Sequence, residues 1–219
     1  VNNEVGTVQP VQEAARLVKQ YKPSILFHTD AVQGYGKYRI WPKRMGIDLL
    51  TASGHKIHGP KGIGFLYIDS KVKIRPIVFG GEQQKNIRSG TENVPGIAGL
   101  GLASKMIYQD LEMKTALMRE LKARFIEGIS KIENTTIHGF TDDGSAPHII
   151  SVGVAGIRSE VLLHTLEDKG IYVSSGSACS SNHPSVSGVL KGIGAAREYL
   201  DATLRFSMSE FTTKEEIDY

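Results

Sequence analysis

Between residues 24 and 68 the chain carries three short apolar runs, each joined abruptly to polar or glycine-rich residues. Ser24–His28 leads into Thr29-Asp30-Ala31, Ile47–Ala52 leads into Ser53-Gly54-His55-Lys56, and Ile63–Ile68 follows Gly59-Pro60-Lys61-Gly62. Apolar runs this short, bounded by turn residues, suit strands buried in a sheet. Ahead of them Val11, Ala14, Ala15, Val18 and Tyr21 recur at helical spacing, with Pro10 placed as a first helical residue and Pro23 ending the segment. A helix followed by buried strands is the rhythm of an α/β fold.

The stretch from Pro76 to Asn93 is polar and rich in glycine, which reads as a long loop of the kind that tends to be functional. From Val94 a long helical zone begins, with Leu117, Leu121, Phe125, Ile129 and Ile132 at three- and four-residue steps. A strand is expected at Ile149–Val154, a helix from a Ser159 cap to Gly170, a short strand at Ile171–Val173 and a last strand at Ala202–Met208. Thr213 and Glu216 have the spacing of a capping box, announcing a final short helix. This change of character places a boundary near residue 110, with an α+β module over residues 111–219. The chain opens at Val1 without a methionine and stops at Tyr219 after barely one helical turn, which reads as a piece of a longer protein cut at both ends.

Composition removes several function classes. Lys+Arg exceed Asp+Glu by 26 to 23, a net charge of +3, too small and scattered for nucleic-acid binding by field alone. The densest basic run, Lys71, Lys73 and Arg75, reads as a solvated face. A single cysteine forms no intrachain disulfide and no multi-cysteine metal cage. His55 and His58 have the spacing of a metal pair but no third ligand nearby, so no metal is expected. No apolar stretch approaches the ~20 residues of a membrane span and no signal peptide opens the sequence, so the expected compartment is the cytoplasm.

Asp30 and Lys56 both fall just past the C-terminal ends of apolar runs, where open α/β sheets bind ligands. An acid to partner a pyridinium nitrogen and a lysine to form a Schiff base are what pyridoxal 5'-phosphate (PLP) requires. Ser53 and His55 supply a hydroxyl and an imidazole for its phosphate, and the Arg88-Ser89-Gly90-Thr91 loop another hydroxyl. No Walker sequence and no strand-linked G-x-G-x-x-G offers a nucleotide cradle instead. Cys179 lies in Ser174–Gly188, where nine of fifteen residues are Ser or Gly. A lone cysteine is commonly a small buried hydrophobe, but these neighbours are not apolar, so it reads as a reactive thiol on a mobile loop. Arg205 alternates with apolar neighbours and is either a carboxylate clamp in a cleft or half of an internal ion pair.

These residues resemble the cysteine desulfurases, class V, fold-type I PLP enzymes, over essentially the whole chain. The resemblance is carried by Asn2-Asn3-Glu4-Val5-Gly6, His28-Thr-Asp30-Ala-Val-Gln33, Ser53-Gly-His-Lys56 with Gly59-Pro-Lys-Gly62, Arg88-Ser-Gly-Thr91, Ser174-Ser-Gly-Ser-Ala-Cys179, and Arg205-Phe-Ser followed by Phe211-Thr-Thr-Lys-Glu-Glu. The long serine-rich segment resembles the group I branch, which feeds iron–sulfur cluster assembly. It implies an α/β fold, with residues 1–110 part of a PLP-binding large domain and 111–219 a small domain carrying the cysteine loop. It implies that Lys56 holds the cofactor, Asp30 pairs with the pyridinium nitrogen, Gln33 bonds the phenolate oxygen, and Ser53 and His55 bind the phosphate. Thr91 is implied to reach the phosphate of the other subunit of a homodimer, Asn3 and Arg205 to orient the carboxylate of L-cysteine, and Cys179 to accept sulfur and pass it to an acceptor or iron–sulfur scaffold protein. The family draws a phosphate-binding turn and a ring-stacking histidine from an N-terminal half, so the fragment alone is expected to be inactive. Another class V aminotransferase or lyase, or a non-catalytic sulfur-relay fragment, are the competing readings.

Overall fold

A computed structural model describes residues 1–175 and 186–219. The chain divides into two compact units, one of Pro10–Leu111 and one of Val1–Gln9 with Glu112–Tyr219. Both are α/β in composition, one with a mixed sheet and one with an antiparallel sheet.

In the unit Pro10–Leu111, helix α1 (Val11–Tyr21) precedes strand β1 (His28–Asp30), the short helix α2 (Pro42–Met45), and strands β2 (Leu49–Ser53) and β3 (Gly64–Ile68). The sheet order is β1-β2-β3, with β1 parallel and β3 antiparallel to β2. The first strand begins later than the apolar run does, because the chain is still turning at Lys22–Ile25 and the Asp48 carboxylate takes the Phe27 N–H at 2.7 Å. Only β2 is covered as expected, its Leu50 and Ala52 buried; β1 and β3 are sheet edges and stay partly exposed. Ala31, Ile47, Leu50 and Ala52 form one core cluster, and Ile57, Leu100 and Ile107 a second, in which helix α3 (Val94–Tyr108) takes part. The loop over 76–93 contains one 3-10 turn, Gln83–Asn86.

The helical zone is broken at Gln109–Asp110, where Asp110 adopts φ +55°, and resumes as α4 (Leu111–Ile129). Ile132 lies beyond its end and is exposed. The second unit builds an antiparallel sheet from β4 (Thr135–His138), β5 (Ile149–Val154), β6 (Ser174–Ser175) and β7 (Thr203–Ser207), in the order β4-β5-β7-β6. Strand β4 had no clear apolar signature, and the strand expected at Ile171–Val173 forms instead at Ser174–Ser175. Leu121, Ile150, Val152 and Met208 make its core with Phe125 and Phe206, whose rings lie 4.7 Å apart. Helices α5 (Ser159–Glu167) and α6 (Gly188–Gly192) connect the later strands; Arg158, not Ser159, occupies the α5 N-cap. Helix α7 (Lys214–Asp218) opens with both bonds of the Thr213–Glu216 capping box. Among the described residues no helix is long and apolar enough to cross a membrane.

Candidate active site

In the first unit, β1 and β2 run parallel with Asp30 opposite Thr51, so their carboxyl ends lie side by side. Asp30 is exposed, and its Oδ1 accepts the Val32 N–H at 2.8 Å, closing the turn in which Gln33 sits half-buried. Tyr35 N and Gly34 N both donate to Ala31 O, at 2.7 and 2.9 Å, which keeps that turn compact.

At the end of β2 the chain leaves Ser53 in extended geometry and enters the 3-10 turn Gly54–Ile57. The sequence alternates anchors and exposed groups here. Gly54 is buried, and its N–H donates to Ile63 O at 2.9 Å while its carbonyl accepts Gly59 N at 2.9 Å. A Cβ at Gly54 would meet Ile63 and the Pro60 carbonyl at 3.0 and 3.1 Å, so a side chain there forces neighbours apart. Ile57 is 1% exposed and plugs the cluster with Leu100 and Ile107. Between these anchors His55 and Lys56 are both exposed, on a backbone fixed at either side. A carboxylate, a hydroxyl, an imidazole and an amine at the carboxyl ends of adjacent parallel strands form a donor set that fits PLP, an anionic aldehyde with a basic ring nitrogen. Thr91 is exposed at the end of a separate loop, beyond Ser89, whose hydroxyl donates to Gly81 O at 2.7 Å.

In the second unit the register places His138 opposite Ser151, Ser151 opposite Arg205, and Arg205 opposite Ser174, one polar row across the sheet. Because strand side chains alternate, Phe206 and Met208 face the core while Arg205 stands on the other face. Arg205 Nη1 donates to Asn3 O at 2.9 Å and Nη2 to Ser174 Oγ at 3.2 Å. Asn3 and Arg205 are therefore brought together, through the Asn3 backbone. The buried His138 bonds Thr203 Oγ1 at 3.1 Å, and burial lowers its pKa, favouring the neutral ring.

Asn3 belongs to a turn, Asn2–Gly6, that packs on residues 145–149. Its support includes a buried lysine that the sequence did not single out. Lys122, 6% exposed, donates to Ser145 Oγ at 2.6 Å, Ala146 O at 2.9 Å and Ile149 O at 2.8 Å. Burial, with a smaller contribution from the Arg119 charge, lowers its pKa to about 8. Ser174, Glu4 and Ser187 carry no individual signal in the sequence, although each lies within one of its motif segments. Cys179, and the mobility expected for its loop, lie outside the described residues. Among the described residues no group of three or more His, Cys, Asp or Glu is placed to hold a metal ion.

The family of class-V aminotransferases matches residues 1–219. The chain is 43% identical over 217 residues to the cysteine desulfurase IscS of Methanosarcina thermophila, covering 99% of this chain and 53% of that one. It is 42% identical over 221 residues to a mitochondrial cysteine desulfurase of Eremothecium gossypii, covering 100% of this chain and 44% of that one. A solved NifS-like protein matches with a TM-score of 0.91 at 36% identity, covering 100% of this chain and 56% of that chain. The chain thus spans about half the length of the curated relatives it matches.

Proposed function

The chain belongs to the class-V aminotransferase family, and on that premise we propose that it serves a PLP-dependent cysteine desulfurase, the activity named for its M. thermophila and E. gossypii relatives. The observation that carries this reading is the Gly54–Ile57 turn, which presents His55 and Lys56 between two buried anchors at the end of the strand beside Asp30. Residues 10–111 contribute to the cofactor-binding large domain; residues 1–9, expected with it, group instead with residues 112–219, the small domain with the Cys179 segment.

When bound, PLP supplies an electron sink for the charge left at the substrate α-carbon. Lys56 attaches it through Nζ, Asp30 keeps a proton on the ring nitrogen, Gln33 donates to the phenolate oxygen, and Ser53 and His55 hold the phosphate. Thr91 reaches the phosphate bound in the second subunit of a homodimer. Asn3 and Arg205 orient the carboxylate of L-cysteine, the guanidinium being already held by the Asn3 carbonyl and Ser174. Lys56 Nζ, as a free amine, would take the α-proton of L-cysteine. The Cys179 thiolate would attack the substrate sulfur: the Cβ–S bond breaks with its electron pair going to Cβ, an S–S bond forms on Cys179, Cβ takes a proton and the α-carbon regains the one that Lys56 removed, so L-cysteine plus a thiol becomes alanine plus a persulfide. The persulfide passes to an acceptor protein that builds iron–sulfur clusters. A thiol that must stay reduced supports a reducing compartment such as the cytoplasm.

Borohydride reduction of the full-length, PLP-loaded protein followed by peptide mass mapping tests the assignment. The account predicts the label on Lys56, and a turnover loss of at least about 10³-fold in Lys56→Ala, where both attachment and proton transfer vanish. A label on a different lysine overturns it.

A further inference from the structure

Helix α4 carries a lysine into the interior. Lys122 follows Leu121 and lies one turn past Met118, both fully buried. Its amine titrates at about 8, so at neutral pH it is an ammonium with three N–H donors. Ser145 Oγ, Ala146 O and Ile149 O accept all three. Residues 145–149 are buried throughout, yet only Ile149 belongs to a strand. A buried stretch outside regular structure needs donors for its carbonyls, and Lys122 brings them.

The same stretch seats the Asn2–Gly6 turn. Ala146 N donates to Gly6 O at 2.8 Å, Thr7 pairs with Ser145 in an isolated antiparallel bridge, and Val8 N donates to Gly144 O at 2.8 Å. Gly6 adopts φ +74°, and a Cβ there would stand 3.1 Å from Ile149 O, an oxygen that Lys122 also holds. Within the turn, Asn2 Oδ1 accepts the N–H groups of Glu4 and Val5 at 2.9 and 3.0 Å, and the Glu4 carboxylate accepts the Ser187 hydroxyl. Asn3, between Asn2 and Glu4, gives its carbonyl to Arg205.

We propose that Lys122 is a positioning residue for the substrate-carboxylate clamp: its ammonium fixes residues 145–149, these seat the Asn2–Gly6 turn, and the turn sets the Asn3 carbonyl that aims Arg205. The identity of the clamped carboxylate rests on the desulfurase reading; the seat does not. A hydrocarbon side chain in place of Lys122 removes the donor from two buried carbonyls and a buried hydroxyl, so the stretch and the turn on it shift. A guanidinium grips a carboxylate through directional, charge-assisted bonds, and a misaimed one loses about tenfold in affinity. Lys122 touches no reacting atom, so the loss falls on ligands that carry a carboxylate.

L-alanine and ethylamine differ only in the carboxylate, and their binding to the full-length, PLP-loaded protein is read from the change in cofactor absorption. Lys122→Met is expected to weaken L-alanine about tenfold and ethylamine by less than about twofold. Lys122→Arg, which keeps charged donors, is expected to bring L-alanine back to within about threefold of the native protein. With L-cysteine the tenfold loss appears in KM, while kcat changes by less than about twofold. Ser145→Ala withdraws one acceptor and is expected to show the same pattern at about threefold, adding nothing to Lys122→Met. A second readout needs no ligand. Amide hydrogen exchange in Lys122→Met is expected to speed about tenfold at Ala146 and Val8, whose N–H groups join the stretch to the turn, and to hold at Val152 in β5 of the same unit. Equal losses for L-alanine and ethylamine, unchanged exchange at Ala146 and Val8, or equal speeding at Val152 overturns the proposal. If the native protein makes no alanine from L-cysteine, the desulfurase reading fails, and the contrast between L-alanine and ethylamine still decides whether Lys122 serves the clamp.

Discussion

The Gly54–Ile57 turn and the Asn2–Gly6 turn both hold polar groups on a fixed backbone, but by opposite means. In the first, apolar packing fixes the turn: Gly54 is buried against Ile63 and Ile57 fills a core cluster, leaving His55 and Lys56 exposed between them. In the second, hydrogen bonds fix the turn, to Ala146 and, 202 and 183 positions along the chain, to Arg205 and Ser187. The first arrangement draws only on its own unit, from Ile63 to Leu100 and Ile107. The second requires the complete second unit, which couples the setting of Arg205 and Ser187 to the stability of that unit.

Truncating one anchor in each turn separates the two designs. Ile57→Ala removes a fully buried side chain and is expected to destabilise the first unit by about 2–5 kcal/mol, with loss of PLP retention as the turn loosens. Asn2→Ala leaves two N–H groups without their acceptor and is expected to cost about 1–3 kcal/mol. Denaturant unfolding followed by PLP titration checks both; equal effects would remove the distinction between packing and hydrogen bonding.

A pH-dependent effect sharpens the second half of the comparison. Folded Lys122 titrates at about 8, below the ~10.4 of an unfolded lysine. Between those values the unfolded chain holds a proton that the folded chain has released, so this group's contribution to stability rises with pH through the window, by up to about 3 kcal/mol. Below pH 8 lysine is charged in both states and the burial penalty is constant. Unfolding of the native protein and Lys122→Met, compared from pH 7.5 to 10.5, is expected to show the upward slope only with lysine; parallel curves would contradict it.

What was legible in the sequence follows the same division. Helix α1, strand β5 and the Thr213–Glu216 capping box could be read because their signals are local: periodicity, a continuous apolar run, and a four-residue motif. The Lys56 turn was visible as a polar break after an apolar run. Strand β1 was misplaced because Asp48, distant in sequence, captures Phe27 and delays the strand. Strand β4 lacks an apolar signature because only His138 of its four residues is buried. The sequence around Arg205 admits a carboxylate clamp and an ion pair alike, since neither the Asn3 carbonyl nor Ser174 announces itself as a partner. Lys122, Glu4 and Ser187 depend wholly on tertiary neighbours, and a lysine on a helix gives no sign of being buried.

The central claim is that Cys179 accepts the sulfur of L-cysteine, and Cys179→Ser in the full-length, PLP-loaded protein tests it most directly. Serine is nearly the same size and the neighbouring sequence is already serine-rich, so PLP content should be unchanged, but a hydroxyl cannot form a persulfide. Mixed with L-cysteine, the variant is predicted to show the change in cofactor spectrum that accompanies substrate binding and then to release no alanine, where the unmodified protein releases it with each turnover. Alanine production undiminished by the substitution would contradict the account.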